Sequence, residues 1–265
     1  MRSTAPLAVA AVLLAGHASA QPMRATYEVY AGGVTILQLE AEFDVTPAGY
    51  RLMTVARTRG LAATFVPGEQ AARVVGEWAG MAARPVAYGT DGVWRGRVRR
   101  TVLDWPAGDP VVVDIQPAED EPRDQVSPDH RRGSIDALSA LAQMSRLVAR
   151  GGHCDGEAQV FDGRRRSDYS SRTVGREVIL PWREAWHGPA LRCAFEGRLV
   201  AGFRLSQQRA DTTPQRGTAW VASPFAGAPP IPVRVEVPSR WFGQAVAVML
   251  RAELSAPGVA GQQVR

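Results

Sequence analysis

Two cysteines, three histidines beyond the first twenty residues and a short run of carboxylates are the residues here best equipped for chemistry. Their spacing sends most of them to structural work. Cys154 and Cys193 are the only cysteines in the chain. A dithiol redox pair or a zinc site would use C-x-x-C spacing, which they lack. An even cysteine count in an oxidising compartment reads instead as one disulfide, closing a loop of roughly 40 residues and worth about 4 kcal/mol in the chain-entropy picture. His130, His153 and His187 each stand without a second histidine at metal-ligand spacing, so no metal ligand is assigned. Asp155, Asp162 and Asp168 would suit acid and base roles on a glycan if the fold faced two of them across a cleft. Asp162-Gly163, however, is a turn signal, and Arg164, Arg165 and Arg166 offer ordinary ion pairs. No catalytic residue is assigned. A P-loop needs a lysine, and the sequence has none. The dinucleotide fingerprint, the G-x-S-x-G elbow and H-E-x-x-H are missing too, so no cofactor is implied.

Two further clusters suit binding rather than catalysis. Arg95, Arg97 and Arg99 alternate along an expected strand, which would project their guanidinium groups from one face toward lipid phosphates or an acidic partner. Plain solvation of a sheet surface is the competing reading. Trp182, Trp186 and Trp241 fall in or beside expected loops, where an indole can line a ligand pocket or a docking edge. They could equally cap the sheet core.

The formal charge is +5, and all 31 basic residues are arginine. Lysine and asparagine are both absent, so a GC-rich genome explains the arginines as well as a phosphate-binding role would. Export argues against nucleic acid as a partner. Met1-Arg2 gives a cationic start, Ala5 to Gly16 an apolar run, and Ala18-Ser19-Ala20 a small-x-small cleavage pattern. The run is too short to cross a bilayer of roughly 30 Å, so residues 1–20 read as a signal peptide and the mature chain is expected in the periplasm. No later stretch approaches the ~18 apolar residues of a membrane span. About 245 residues then remain, enough for a single β-rich domain over 21–265.

The elements that must position these residues are mainly strands. From Thr35 to Val45, Leu37, Leu39, Ala41, Phe43 and Val45 alternate with Gln38, Glu40, Glu42 and Asp44, the pattern of an antiparallel strand wet on one side. Ala31-Gly32-Gly33 and Pro47-Ala48-Gly49 supply flanking turns. Similar segments recur, including one expected from Val93 to Leu103, to about a dozen strands in all. Residues 116–132 are rich in Pro, Asp, Glu and Arg and read as a polar loop. One helix is expected over 134–150, capped by Ser134 and ended by Gly151-Gly152, with Ile135, Leu138, Leu141, Ala142 and Val148 in one apolar stripe. So many strand edges favour a curled antiparallel sheet forming a barrel or half-barrel, with the helix packed on it or plugging one end.

Several stretches together resemble a known family. They are Tyr27-Glu28-Val29-Tyr30-Ala31-Gly32-Gly33, Asp136-Ala137-Leu138-Ser139, His153-Cys154-Asp155-Gly156, Val160-Phe161-Asp162-Gly163-Arg164-Arg165, Cys193, and Ala201-Gly202-Phe203. The chain resembles the exported proteobacterial proteins of domain-of-unknown-function family 3108 over nearly all of its mature length. The resemblance implies an envelope protein with a curled β-sheet and carries no established activity or catalytic residues. The architecture is also loosely similar to lipoprotein carriers and spiral β-sheet envelope proteins, an analogy of fold alone. The leading functional expectation is a non-enzymatic periplasmic protein that binds a lipid or acyl chain or supports envelope integrity. The alternatives are a scaffold for another envelope protein and a carboxylate-dependent hydrolase of cell-wall or lipid substrates.

Overall fold

The structure is a computed structural model and describes residues 21–117, 122–206, 213–239 and 243–255. The expected signal peptide and Trp241 lie outside the described residues. The first half of the chain is a meander of seven strands: β1 (Met23–Ala31), β2 (Val34–Val45), β3 (Gly49–Thr58), β4 (Gly68–Ala79), β5 (Ala82–Trp94), β6 (Arg97–Asp104) and β7 (Val111–Gln116). A one-and-a-half-turn helix, α1 (Gly60–Phe65), links β3 to β4. Two helices follow the meander, α2 (Pro128–Arg131) and α3 (Ala137–Gly151). The second half comprises β8 (Gly156–Phe161), β9 (Arg166–Ile179), β10 (Gly188–Ala201), β11 (Gln215–Ala222), β12 (Ile231–Ser239) and β13 (Gly243–Leu254).

All thirteen strands form one antiparallel curled sheet in the order β7-β6-β5-β4-β3-β2-β1-β13-β12-β11-β10-β9-β8. The last strand therefore pairs with the first, Met23 opposite Leu254 and Ala31 opposite Ala245, joining the two meanders into one ribbon. In β2 the expected alternation is realised, with Ala41 and Phe43 buried between less buried polar neighbours. The free ends of the ribbon are β7 and β8, and no backbone ladder joins them. Side chains bring them together instead. Phe161 on β8 packs with Leu103 on β6 and with Trp105, all three buried. A Cβ placed on Gly163 would come within 2.8 Å of Thr101 and 3.2 Å of Ile115, which shows how closely the β8–β9 turn abuts β6 and β7. The exposed edge of β8 is covered as well: Ile135 N–H donates to Gln159 O at 2.8 Å and Phe161 N–H to Ile135 O at 2.9 Å. A short parallel bridge thus occupies backbone groups that would otherwise template aggregation.

The helix lies across the concave side of this sheet at the end that carries the β4–β5 turn. Leu138, Leu141 and Ala142 pack into the main core beside Tyr27, Leu52, Val74 and Met249. Gln143 accepts from Ala83 N–H at 2.9 Å, and Ser145 Oγ donates to Pro230 O at 2.6 Å, pinning the helix to both halves of the ribbon. The Cys154–Cys193 disulfide is formed, with Cα atoms 6.2 Å apart, and ties the exit of α3 to β10 within a second buried cluster that includes Met144, Val148 and Leu191.

Three expectations need correction. The helix begins later than 134, because its N-cap is Asp136. Asp136 Oδ1 accepts from Leu138 and Ser139 N–H, both at 2.9 Å, while Ser134 is drawn elsewhere, its carbonyl accepting from Trp105 Nε1 at 2.8 Å and its hydroxyl from Arg166 Nε at 3.0 Å. The stretch from Val93 to Leu103 is not one strand, since Arg95 and Gly96 both adopt positive φ, 53° and 73°, and turn the chain from β5 into β6. The polar loop over 116–132 contains α2, which Ser127 caps by accepting from His130 N–H, with Pro128 in the first turn where a missing N–H costs nothing.

Candidate functional site

Beside the C-terminal half of α3 the ribbon leaves a cleft of about 570 Å³. Strand ends and one long connection supply its apolar wall: Met23 from β1, Phe43 and Val45 from β2, Phe225 and Pro229 between β11 and β12, and Leu254 at the end of β13. The helix supplies the polar side with Ser145, Arg146 and Arg150. No carboxylate is among the described lining residues. A second cleft of about 410 Å³ adjoins the first along Ala149, Ala228 and Pro230 and extends toward Arg176 and Pro189.

Arg146 is held rather than loose. Its Nε donates to Gly80 O at 3.0 Å, and its guanidinium carbon stands 4.4 Å from the centroid of the Trp78 ring. Trp78 is itself fixed by donating from Nε1 to Thr46 O at 3.0 Å and by Tyr50, whose ring centroid is 4.7 Å away. Burial, followed by repulsion from Arg150, pulls the Arg146 pKa below the ordinary guanidinium value. Among the described residues Arg150 has no ion-pair partner.

At the other end of α3 sits a buried polar chain. Tyr50 OH donates to Ser139 Oγ at 2.7 Å, and Ser139 Oγ donates to Asp136 Oδ2 at 2.5 Å. Asp136 is fully buried, and that burial pushes its pKa up against the pull of its hydrogen bonds. Burial likewise pushes the Tyr50 and Tyr88 hydroxyls well up. Every member serves the helix cap, so the chain reads as an anchor.

The residues singled out from sequence are dispersed. Arg95 occupies the β5–β6 turn, whereas Arg97 and Arg99 lie on β6 opposite Trp94 and Gly92, so the expected common face of three arginines does not exist. Trp182 is partly exposed in the β9–β10 connection, edge-on to Tyr30 at 5.0 Å, with the Arg183 guanidinium over both rings. Trp186 packs against the main core, and its backbone N–H donates to Met249 O at 2.7 Å. Asp162 Oδ1 accepts from Arg164 and Arg165 N–H, shaping the β8–β9 turn, and Asp168 pairs with Arg166 at 2.6 Å. His153 stands 3.4 Å from Asp155. Arg146, Arg150 and Trp78 were not singled out from sequence, although one signal was present: α3 carries two arginines four residues apart and no acid.

The stretches that carry the family resemblance meet in the fold. Gly202, at φ 85°, approaches the β8–β9 turn so closely that a Cβ would stand 2.1 Å from Arg164 O. Arg164 also donates to Pro117 O after β7, so this turn latches the β7 end of the ribbon to β10. Asp136 to Ser139 form the helix cap, and Cys154 and Cys193 the bridge.

A thirteen-stranded antiparallel ribbon, curled but unclosed and plugged by one helix, defines a β-barrel-like protein. The family of proteins of unknown function DUF3108 matches residues 26–250, and the chain belongs to it. A β-barrel-like protein of the unknown-function family DUF1849 from Brucella abortus has the same fold, with a TM-score of 0.56 at 11% identity over 89% of this chain and 98% of that one. A candidate lipoprotein from Parabacteroides distasonis ATCC 8503 gives a TM-score of 0.35 at 10% identity over 89% and 96% of the two chains. No curated protein matches in sequence. Among the described residues, no helix is long and apolar enough to cross a membrane.

Proposed function

We propose that this is an exported, periplasmic, non-catalytic protein that holds one apolar ligand, a lipid or acyl chain, in the cleft beside α3. The observation that carries the reading is the lining: strand ends from both halves of the ribbon give an apolar trough of about 570 Å³, within the range of about 300–1,000 Å³ found for small-molecule sites. Burying a methylene there is worth roughly 0.8 kcal/mol, so a chain of several carbons binds without any catalytic group. Ala149 is exposed on the cleft side of α3, which makes it a position to fill without disturbing the core. Native mass spectrometry of protein gently extracted from its own periplasm is expected to show an added mass in the lipid range, and Ala149→Trp is expected to abolish it while leaving the melting temperature unchanged. Repeated detection of the bare chain alone would overturn the reading.

A second reading rests on the opposite rim. There α1 exposes Leu61 and Phe65, 72% and 79% accessible, one helical turn apart. Arg59 precedes them, and Arg95 is joined to the same rim through its N–H to Pro67 O at 3.0 Å. Apolar tips flanked by arginine suit docking on an anionic lipid surface. Leu61→Ser with Phe65→Ser is expected to cut co-sedimentation with phosphatidylglycerol-containing vesicles at least fivefold. Equal pelleting of the variant and the parent would remove this rim from consideration.

A further inference from the structure

We infer that the cleft selects an amphiphile with an alkyl tail and an anionic head, the head lying against Arg146 and Arg150; this rests on the apolar-ligand reading above. Three observations converge on it. First, the two cations are one helical turn apart on α3, and no carboxylate is among the described residues that line the cleft with them. Like charges at this spacing destabilise a helix, and an anion placed between them reverses that sign. The helix dipole accounts for Arg150 in the last turn but not for Arg146, which lies a turn earlier.

Second, Arg146 is held in position by the chain itself, through the Trp78 ring and the Gly80 carbonyl. One nitrogen is used by that carbonyl, which leaves the remaining donors of a planar fork for an incoming carboxylate or phosphate. Preorganisation of this kind lowers the ordering cost that a long flexible side chain otherwise brings to binding. Third, the wall facing the two arginines is apolar, with Met23, Phe43, Val45, Phe225 and Leu254 along a cleft of about 570 Å³, so a tail can lie on one side while its head meets the cations on the other.

The shared chemistry is an anionic head on an alkyl tail, and both a fatty acid and a monoalkyl phosphate possess it. Calorimetric titration of the full mature protein with dodecanoate, dodecyl phosphate and dodecanol, each below its aggregation threshold, separates the possibilities. Either or both anions are expected to bind at least tenfold more tightly than dodecanol, and the tighter of the two identifies the head. In Arg146→Gln with Arg150→Gln the preference is expected to vanish while dodecanol affinity stays as it was. A thermal melt confirms that the variant is folded, and single Arg150→Gln, at an exposed position, keeps the test usable if the double variant unfolds. Equal affinity for all three probes would overturn the head-group inference alone. Failure of every probe to bind would overturn the apolar-ligand reading with it.

Discussion

Replacing Cys154 and Cys193 together by serine is expected to lower the unfolding free energy by about 4 kcal/mol. The two residues are 39 apart, and cutting their bond restores to the unfolded chain the loop freedom that the cross-link removes. The folded side is affected as well, because the bridge fastens the segment directly after α3 to β10. Cys154 and Cys193 are buried against Met144, Val148 and Leu191, so serine hydroxyls would enter an apolar cluster. Urea unfolding of oxidised, reduced and double-serine protein measures the loss. Hydrogen exchange adds a location: amides of α3 and β8 are expected to lose protection before those of β1 to β4, since the bridge holds the plug rather than the first meander. A loss under about 1 kcal/mol would show that the ribbon and helix stay locked without the cross-link. Because α3 forms one side of the cleft, binding of the apolar ligand proposed above is expected to weaken in reduced protein at denaturant concentrations where the sheet is still intact.

Asp136→Ala is expected to cost about 3 kcal/mol. Loss of an N-cap is worth roughly 0.5–2 kcal/mol, and stranding buried donors adds roughly 1–3 kcal/mol. Here Leu138 N–H, Ser139 N–H and Ser139 Oγ all lose their acceptor, and Tyr50 remains tied to the same serine. Asp136→Asn retains a carbonyl acceptor for the two backbone donors and is expected to lose clearly less. The pair also tests the sign of a pH effect. Burial raises the Asp136 pKa, so the folded protein binds this proton more readily than the unfolded chain does. The group's contribution therefore declines as pH rises from about 4, the range of an unperturbed aspartate, through the raised folded value. The advantage of the parent over Asp136→Asn is accordingly expected to be larger at pH 4 than at pH 7. Denaturant midpoints across that range check it, and an advantage that grows with pH would reverse the assignment.

Legibility from sequence followed the range of the interaction concerned. The alternation of Leu37 to Val45 was readable because a strand's two faces repeat every second residue. The apolar stripe of α3 was readable for the same reason at helical period. The helix start was not: Ser134 and Asp136 are both good caps, and the choice fell to distant partners, Trp105 and Arg166 claiming the serine. Arg95, Arg97 and Arg99 were read as one strand face because alternation continues through a two-residue turn without a break in the pattern. The positive φ values of Arg95 and Gly96 decide it, and an arginine does not announce such a φ.

What the sequence determined unaided was the class of fold and its cross-link. Strand alternation, a single amphipathic helix and two lone cysteines are local or countable properties, and local backbone preference together with thiol chemistry turns them into structure. Tertiary structure alone decided the pairing of β1 with β13, the packing of Phe161 against Leu103 that draws the free edges together, and the cleft itself. The cleft gathers Met23, Phe43, Arg146, Arg150, Phe225 and Leu254 from across the chain. No period or spacing relates those residues, because their proximity is set by how a long ribbon twists and curls around one helix.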